Sequence, residues 1–440
     1  MIFQDSIVAL SSGRLPSGIA VIRLSGPATR RIVETVCGRL PEPRLARFGT
    51  LRRADGEPLD AGLTLFFPGP DSFTGEDMVE FHVHGGRAVV AAVLETLVAF
   101  NGVRHAEPGE FTRRAFLNGK VDLLKAEALA DLVTAETESQ RRFALLNSGP
   151  QSALYAEWRQ RLIFARAMIE AEMDFSDEAD VPGAVGSTVW ADIEKMISEI
   201  TAHMEGYRQA ETSRDGYDVV SLGAPNAGKS SLLNALARRD AAIVTDEPGT
   251  TRDLVEVVLD LNGVKVRLTD TAGIREEAGR VEQIGIDRAR DRARGADLIL
   301  YLVDLDDPKP IAGVDTQARC LTVGTKADLA QHRATDSSYD HVISVASSGS
   351  GLNELLGSIG GYAVEATGTV SDILPSRQRH IELLRRTAHF MEAALGAPDT
   401  AAEIKAEYLR LAAEQLGRIS GAVDPEDLLD VIFSQFCIGK

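Results

Sequence analysis

A glycine-rich octapeptide, Gly223-Ala-Pro-Asn-Ala-Gly228-Lys229-Ser230, directly follows the apolar run Tyr217–Leu222. This order of strand, loop and helix is typical of a phosphate-binding loop, in which backbone N–H groups and a helix N-terminus face phosphate oxygens. Lys229 is expected to reach the β- and γ-phosphates, and the Ser230 hydroxyl is expected to ligate Mg²⁺. The pattern predicts nucleotide binding, with further contacts from Asn226, Ala227, Gly228 and Ser231.

Two motifs downstream have the residue types that hydrolysis of a nucleoside triphosphate requires. Asp270-Thr271-Ala272-Gly273 follows the strand-like run Val264–Thr269. Its Asp is suited to hold Mg²⁺ through water, and the Gly N–H is suited to sense the γ-phosphate. Between this motif and the phosphate loop lies the segment Gly249–Asp253, in which Thr251 is expected to be a second hydroxyl ligand of Mg²⁺.

A fourth motif indicates which base is bound. Thr325-Lys326-Ala327-Asp328 follows the apolar strand Cys320–Val323. The Asp328 carboxylate is suited to accept hydrogen bonds from N1–H and the exocyclic amine of guanine, a pair that adenine lacks. Four motifs in this order predict a GTP hydrolase.

The group that orients the attacking water is not a glutamine. Ras-like GTPases carry a Gln directly after the Asp-x-x-Gly motif, whereas this chain has Ile274. Arg275, Arg252 and Glu282 are the candidates to replace it, and a Glu acting through a second water would serve as a positioning base. The alternative is that Arg275 and Glu282 are solvated charges. Asn226 is equally open between ligating a monovalent cation and hydrogen-bonding the loop backbone.

Composition limits the partners and the compartment. The 440 residues have a net charge of −18 and a pI near 5.0, so no overall basic field attracts nucleic acid. RNA binding would need a local patch such as Arg113-Arg114, Arg141-Arg142 or Arg385-Arg386, which alternatively are solvated helix faces. Three cysteines without metal spacing, no signal peptide and no apolar run near about 18 residues predict a soluble, cytoplasmic protein.

The pattern of elements predicts a multidomain α/β and α+β protein. Residues 1–118 have short β-branched runs and one helix, Arg87–Phe100, which indicates an α+β domain. Residues 119–215 and 365–440 have helical periodicity, with Gly417 and Gly421 marking helix ends. Residues 216–364 alternate strands and helices. An α/β domain between two helical stretches predicts a G domain inserted into a discontinuous all-α domain.

The chain resembles the bacterial MnmE (TrmE) family of tRNA modification GTPases from end to end. Besides the four GTPase motifs, several short runs carry the resemblance, and ordinary GTPases lack the most specific of them. These runs are Gly18–Ser25, Phe73–Asp77, His84–Gly86, Pro108–Phe111, Arg114–Asn118 and Phe436–Lys440. The family architecture is an N-terminal folate-binding dimerisation domain, a discontinuous helical domain and an inserted P-loop G domain.

The resemblance implies specific ligands. A formyl-tetrahydrofolate pocket would use Arg23, Glu80, Lys120 and Lys440, whose charges suit the carboxylates and pterin N–H groups of folate. A K⁺ ion would be bound by Asn226, Thr245, Glu247 and Thr250, and the G domains would dimerise across it. The residues implied in GTP hydrolysis, with Glu282 orienting the water, are Glu282, Lys229, Thr251 and Arg275.

The implied function is K⁺-stimulated GTP hydrolysis linked to tRNA modification. A homodimer would assemble with the flavin-dependent partner MnmG (GidA) as a heterotetramer. Together they would add aminomethyl or carboxymethylaminomethyl groups to C5 of the wobble uridine of certain tRNAs, using a tetrahydrofolate one-carbon unit. Two alternatives remain: a GTPase switch in ribosome assembly, and a freestanding one-carbon transferase.

Several positions depart from these patterns or remain open. Thr325 replaces the usual Asn of the base-reading motif, which predicts weaker guanine affinity and unchanged specificity, and the motif that backs the base is imperfect around Val345-Ala346. His82 and His84 are either a metal pair or structural histidines. Cys437 is either a reactive thiol or a small buried apolar residue.

Overall fold

The structure is a computed structural model, and it divides into two compact units. The first unit comprises residues 1–130, 152–183 and 389–440, and the second comprises residues 131–151 and 184–388. The residues that the structure describes are 3–174, 184–239, 241–243, 256–270, 292–308, 318–329, 338–345, 349–368, 373–398, 401–423, 429, 432–434, 436 and 439.

The first unit contains a six-stranded sheet made almost entirely of antiparallel pairs. Its strands are β1 (Ser6–Leu10), β2 (Ser17–Ser25), β3 (Arg47–Arg52), β4 (Pro58–Phe67), β5 (Met78–Gly85) and β6 (Val103–His105). Their order is β3-β4-β5-β2-β1-β6, and only β1 and β6 pair in parallel. The predicted α+β domain is confirmed, although its strands β3 and β6 were not predicted.

The prediction of one helix in this domain is wrong, because its described residues contain three helices. They are α1 (Thr29–Cys37), α2 (Arg87–Val98) and α3 (Glu110–Leu117). In α1 the buried residues Ile32, Val33 and Val36 share one face and pack with α2 over the sheet. Their spacing follows the helical period, so the sequence does contain the pattern of a helix. The segment is short and rich in β-branched residues, which favour strands, and this obscured the prediction.

Helices make up most of the remaining described chain. They are α4 (Leu123–Thr134), α5 (Glu138–Ser148), α6 (Pro150–Asp174), α7 (Ala184–Glu205), α8 (Tyr207–Asp215), α9 (Lys229–Ala237), α10 (Leu352–Thr367), α11 (Gln378–Gly396) and α12 (Ala402–Ser420). Among the described residues, none of these helices combines the length and the apolar character that crossing a bilayer demands.

Two details of the helix prediction need correction. Gly417 does not end a helix: α12 continues through it to Ser420 and ends at Gly421, whose φ of 79° is left-handed. A Cβ on Gly417 would lie 2.6 Å from a methyl carbon of Val423, so Gly417 serves close packing. The spacing of Leu123, Ala126, Ala130 and Val133 predicts one apolar face on α4, but Val133 is 37% exposed.

The second unit contains the predicted α/β domain. Its strands are β7 (Tyr217–Gly223), β8 (Glu256–Leu261), β9 (Val264–Asp270), β10 (Leu298–Asp304), β11 (Arg319–Thr325) and β12 (His341–Val342). The order is β12-β11-β10-β7-β9-β8, and every pair is parallel except β8 with β9. Parallel strands bring their carboxyl ends to one edge, where α/β domains bind ligands. The α/β fold is confirmed.

Arg114 is buried, which neither reading of the Arg113-Arg114 pair anticipated. Its side chain is only 1% exposed and lies among three carboxylates. Its Nη2 donates to Asp5 Oδ1 at 2.8 Å and Glu110 Oε1 at 3.0 Å, and its Nη1 donates to Glu76 Oε1 at 3.3 Å. Burial raises the pKa of Glu76 above its usual value, although the Arg114 charge opposes this. Arg114 therefore joins the residue that precedes β1, the helix α3 and the loop before β5.

We expect Arg114→Met to destabilise the full-length protein by about 3 kcal/mol or more, because the change leaves buried carboxylates without their cation. Urea unfolding monitored by circular dichroism measures this loss. Arg113→Met, the same substitution at the adjacent half-buried position, is the control and is expected to cost less. Equal unfolding midpoints for the two variants would contradict the structural role assigned to Arg114.

Candidate nucleotide and folate sites

The phosphate loop connects β7 to α9 as the sequence predicted. Asn226 and Gly228 have φ values of 66° and 94°, so the loop turns through left-handed conformations before the helix begins at Lys229. Left-handed residues turn successive N–H groups toward a common centre, which suits an anion. In the described part of the chain, no hydrogen bond involves the Asn226 side chain, which lies on the exposed part of the loop.

Lys229 is a buried cation held by loop carbonyls. It is only 6% exposed, and its Nζ donates to the carbonyl oxygens of Gly223 at 2.8 Å and Ala224 at 3.0 Å. Burial lowers the pKa of Lys229, and the nearby Asp270 charge acts in the opposite direction. Phosphate oxygens would offer Lys229 stronger acceptors than these neutral carbonyls. The geometry therefore favours an anionic ligand at this loop.

Ser230 and Asp270 meet at the same edge of the sheet. The Ser230 hydroxyl donates to Asp270 Oδ2 at 2.8 Å, and Asp270 is the last residue of β9 and is buried. A hydroxyl and a carboxylate are hard oxygen donors of the kind that Mg²⁺ prefers. These two residues fit a Mg²⁺ site. The other predicted ligand, Thr251, lies outside the described residues.

Thr325 links the base-reading motif to the phosphate loop. Its hydroxyl lies 2.8 Å from the carbonyl oxygen of Ala227 and 3.2 Å from that of Val303. The hydroxyl is shorter than an Asn side chain, yet it still contacts the loop. Thr325, which replaces the usual Asn of this motif, therefore preserves a connection between the base-reading motif and the phosphate loop.

Asp304 and Ser344, which were not predicted from the sequence, hold this motif in place. Lys326, which has a φ of 58°, donates from Nζ to Asp304 Oδ2 at 2.5 Å. Ser344 donates to Asp328 Oδ1 at 2.6 Å and so orients the carboxylate expected to read guanine. Asp304 is the last residue of β10, and this position at the carboxyl edge was a usable signal. Ser344 directly precedes the imperfect Val345-Ala346 motif.

Many predicted site residues lie outside the described part of the chain. Of the predicted nucleotide and Mg²⁺ residues, Asn226, Ala227, Gly228, Lys229, Ser230, Ser231, Asp270, Thr325, Lys326 and Asp328 are described. The residues that lie outside are Thr245, Glu247, Thr250, Thr251, Arg252, Thr271, Ala272, Gly273, Ile274, Arg275, Glu282, Cys437 and Lys440.

Arg23 and Glu80, both predicted folate ligands, are brought into direct contact. They face each other across β2 and β5, and Arg23 Nε and Nη2 donate to Glu80 Oε1 at 3.1 and 2.8 Å. The guanidinium carbon lies 5.9 Å from the centre of the Phe73 ring and 5.6 Å from that of Phe111. A charged fork between aromatic rings suits a planar ligand that carries carboxylates.

Gly439 also lies at this site. The carbonyl oxygen of Gly439 accepts from Ser11 Oγ at 2.8 Å and lies 3.5 Å from Arg23 Nη1. Gly439 is adjacent in sequence to the predicted ligand Lys440. Lys120 lies instead at a cavity of about 450 Å³. The lining residues among those described are Phe3, Gly26, Pro27, Pro70, Gly75, Glu76, Asp77, Asn118 and Lys120, a set without Arg23 or Glu80.

His82 and His84 lie beside different carboxylates. His84 Nδ1 is 2.8 Å from Asp60 Oδ1, whereas His82 Nε2 is 3.5 Å from Glu80 Oε2. Asp60 also accepts the backbone N–H of His84, at 2.7 Å. Burial raises the pKa of Asp60, but its hydrogen bonds with His84 outweigh this and hold the pKa below the usual value. His84 is therefore hydrogen-bonded to Asp60, whereas the buried His82 Nε2 lies near Glu80 without a hydrogen bond among the described residues.

Two family models and close relatives match this chain. Residues 123–437 match the MnmE helical domain, and residues 6–120 match the GTP-binding protein TrmE N-terminus. The tRNA modification GTPase MnmE of Mesorhizobium japonicum is 62% identical, with 100% of each chain covered. That of Chelativorans sp. is 57% identical, with 99% of this chain and 98% of the relative covered.

The G domain of the T. maritima FeoB iron transporter is a solved structure that matches part of the chain. It is 27% identical, covers 34% of this chain and 99% of its own, and has a TM-score of 0.26, too low to support an argument. The relatives alone are sufficient to assign the family. With this identity over its whole length and with both domain models matched, the chain belongs to the MnmE (TrmE) family of tRNA modification GTPases.

Proposed function

We propose that this chain hydrolyses GTP and couples the hydrolysis to modification of the wobble uridine in certain tRNAs. The observation that carries the GTPase part is the meeting of Lys229, Ser230 and Asp270 at one edge of the sheet. Asp328 lies at the same carboxyl edge, after β11, and is held by Ser344. A phosphate cradle and a guanine acceptor on one scaffold are the parts that GTP binding requires.

The residues have distinct roles in this proposal. Lys229 binds the β- and γ-phosphates, and Asp328 accepts the guanine N–H groups. Ser230 and Asp270 would hold Mg²⁺ together with Thr251, and bound Mg²⁺ neutralises charge on the phosphates. Glu282 orients the attacking water, assisted by Arg275. The nucleotide is also contacted by Asn226, Ala227, Gly228, Ser231, Thr245, Thr250, Thr271, Ala272, Gly273, Thr325 and Lys326.

A K⁺ ion is part of the same proposal. Asn226, Thr245, Glu247 and Thr250 would supply its oxygen ligands, and the ion would provide positive charge beside the phosphates. The described structure supports this through Asn226, whose amide lies on the exposed loop without an intramolecular hydrogen bond among the described residues. Dimerisation of G domains across this ion follows from the family resemblance.

The proposed modification of tRNA needs a second protein and a one-carbon donor in addition to this chain. We propose that a homodimer acts in the cytoplasm with the flavin-dependent protein MnmG. The pair adds (carboxymethyl)aminomethyl groups to C5 of the uridine, and a tetrahydrofolate bound through Arg23, Glu80, Lys120 and Lys440 supplies the one-carbon unit. The exposed apolar residues of the N-terminal sheet support the dimer: Phe48 is 71% exposed and pairs with Leu63 across β3 and β4.

Asp328→Asn is expected to exchange guanine for xanthine specificity. An amide offers one donor and one acceptor where the carboxylate offers two acceptors, so guanine loses a charge-assisted hydrogen bond and xanthine gains a partner. We expect GTP affinity to fall at least about tenfold while XTP binding rises. Titration with fluorescent nucleotides measures both affinities. Asp306→Asn, the same change at an exposed neighbouring position, is the control, and similar behaviour of the two variants would refute the role of Asp328.

Mass spectrometry of wobble-uridine nucleosides tests the tRNA part. Cells without this gene should lose the C5-aminomethyl-type groups, and the wild-type chain should restore them. Asp270→Ala should not restore them, because the Mg²⁺ site is lost, whereas Asp306→Ala should. If nucleosides are unchanged in an organism without a second copy, the modification function is wrong and a ribosome-assembly switch becomes the leading explanation.

Glu80→Gln is expected to weaken binding of 5-formyl-tetrahydrofolate by about tenfold, because the neutral amide replaces an anionic acceptor for ligand N–H groups. Isothermal titration calorimetry on the full-length chain measures the affinity. Glu57→Gln makes the same change at an exposed position of the same domain and should leave binding as in the wild type. Unaltered affinity of Glu80→Gln would remove Glu80 from the folate site.

A further inference from the structure

The hairpin formed by β8 and β9 connects the nucleotide edge of the sheet to its far end. Its turn, Asn262-Gly263, has φ values of 57° and 82°, and Asp260 Oδ1 accepts the Gly263 N–H at 2.8 Å. From this turn β9 runs without interruption to Asp270. At about 3.3 Å per residue, the strand spans about 20 Å from Val264 to Asp270. The hairpin turn and Asp270 are therefore connected by a single hydrogen-bonded strand.

The tip of the hairpin is held by the start of α5. The Ser139 N–H donates to the carbonyl oxygen of Gly263 at 2.9 Å. Lys265 Nζ lies 2.6 Å from Glu136 Oε2, and the exposed fractions of the two side chains are 20% and 28%. N–H groups in the first turn of a helix have no partner within the helix, so the hairpin carbonyl satisfies one of them. The contact combines a directional hydrogen bond with a partly buried ion pair.

The same helix start also holds the strand that leads to the phosphate loop. Thr137 and Gln140 form a capping box, in which Gln140 Oε1 accepts the N–H of Thr137 at 3.2 Å. The same oxygen also accepts the N–H of Glu136 at 2.9 Å. Gln140 Nε2 donates to the carbonyl oxygen of Arg214 at 2.7 Å. Arg214 lies shortly before β7, which runs from Tyr217 to the phosphate loop. Segment 136–140 thus contacts β9 directly and the residues that precede β7.

These two strands carry the two sides of the Mg²⁺ site. β7 leads to Ser230, and β9 ends at Asp270. They pair in parallel, and Arg267 on β9 donates from Nε and Nη2 to the two carboxylate oxygens of Asp218 on β7, both at 2.7 Å. A bidentate ion pair resists sliding of one strand past the other. The position of Asp270 relative to Ser230 therefore depends on how both strands are held at their far ends.

We propose that segment 136–140 is a positioning element for the Mg²⁺ site, with Glu136 and Lys265 as its positioning residues. Neither is among the residues proposed to contact the nucleotide; they act through β9 on Asp270. The proposal rests on the proposed GTPase activity. Since coupling between sites is reciprocal, binding of Mg²⁺ and GTP at Asp270 in turn alters the contact of the hairpin with α5. The helical segment would then respond to the state of the nucleotide.

The test measures how GTP hydrolysis by the full-length chain depends on Mg²⁺ concentration. Lys265→Met keeps the aliphatic stem and removes the charge, and Glu136→Gln removes the partner charge. We expect either variant to raise the Mg²⁺ concentration for half-maximal rate by about fivefold, a usual size for coupling between sites. GDP affinity without Mg²⁺ should stay as in the wild type. The double variant Glu136→Lys with Lys265→Glu restores the pair and should restore the Mg²⁺ dependence.

Arg141→Ala is the matched control, because it removes an exposed ion pair with Glu138 on the same helix. It should leave the Mg²⁺ dependence unchanged. Thermal unfolding of each variant separates a loss of folding from a shift in Mg²⁺ dependence. If the wild type hydrolyses GTP with Mg²⁺ and the single variants match it, the positioning role is wrong and the proposed function stands. If the wild type shows no Mg²⁺-dependent hydrolysis, the proposed function itself fails.

Discussion

The parallel pairing of β7 with β9 is the constraint on which the nucleotide site depends. Ser221 lies opposite Asp270, where β9 ends, whereas β7 continues to Gly223 and into the phosphate loop. The chain must then turn back over the end of β9, which brings Ser230 to within 2.8 Å of Asp270. A shift of one residue in this pairing would move Asp270 to the other face of the sheet, because side chains alternate along a strand.

Burial makes this edge selective for an anion. A buried lysine loses hydration that two carbonyl oxygens replace only in part, so a ligand with negative oxygens gains by taking their place. The base-reading side is arranged beforehand by the contacts of Lys326 with Asp304 and of Asp328 with Ser344. Thr325 connects the two halves through Ala227. Because these side chains are held before a nucleotide binds, little ordering cost remains for binding itself.

The sequence predicted what local patterns determine. The strand, loop and helix around Lys229 were predicted because glycine spacing and apolar periodicity are local signals. The burial of Arg114 was not predictable, because it depends on Asp5 and Glu76, which are far from it in the chain and adjacent only in the fold. The prediction that Gly417 ends a helix was wrong for a similar reason. A glycine that ends a helix and a glycine that allows close packing cannot be distinguished in the sequence, because the packing neighbour is not known.

The pairing of Arg23 with Glu80 sets a condition on any ligand of the N-terminal domain. Each side chain already satisfies the other in a largely enclosed position, with exposed fractions of 21% and 17%. A ligand that bound only one of them would leave the other charge without a partner, which is costly at such a site. A ligand that offers an anion to Arg23 and N–H donors to Glu80 together avoids this cost. Folate has both groups, so the resting ion pair would exclude simple carboxylates and admit a molecule that replaces both partners at once.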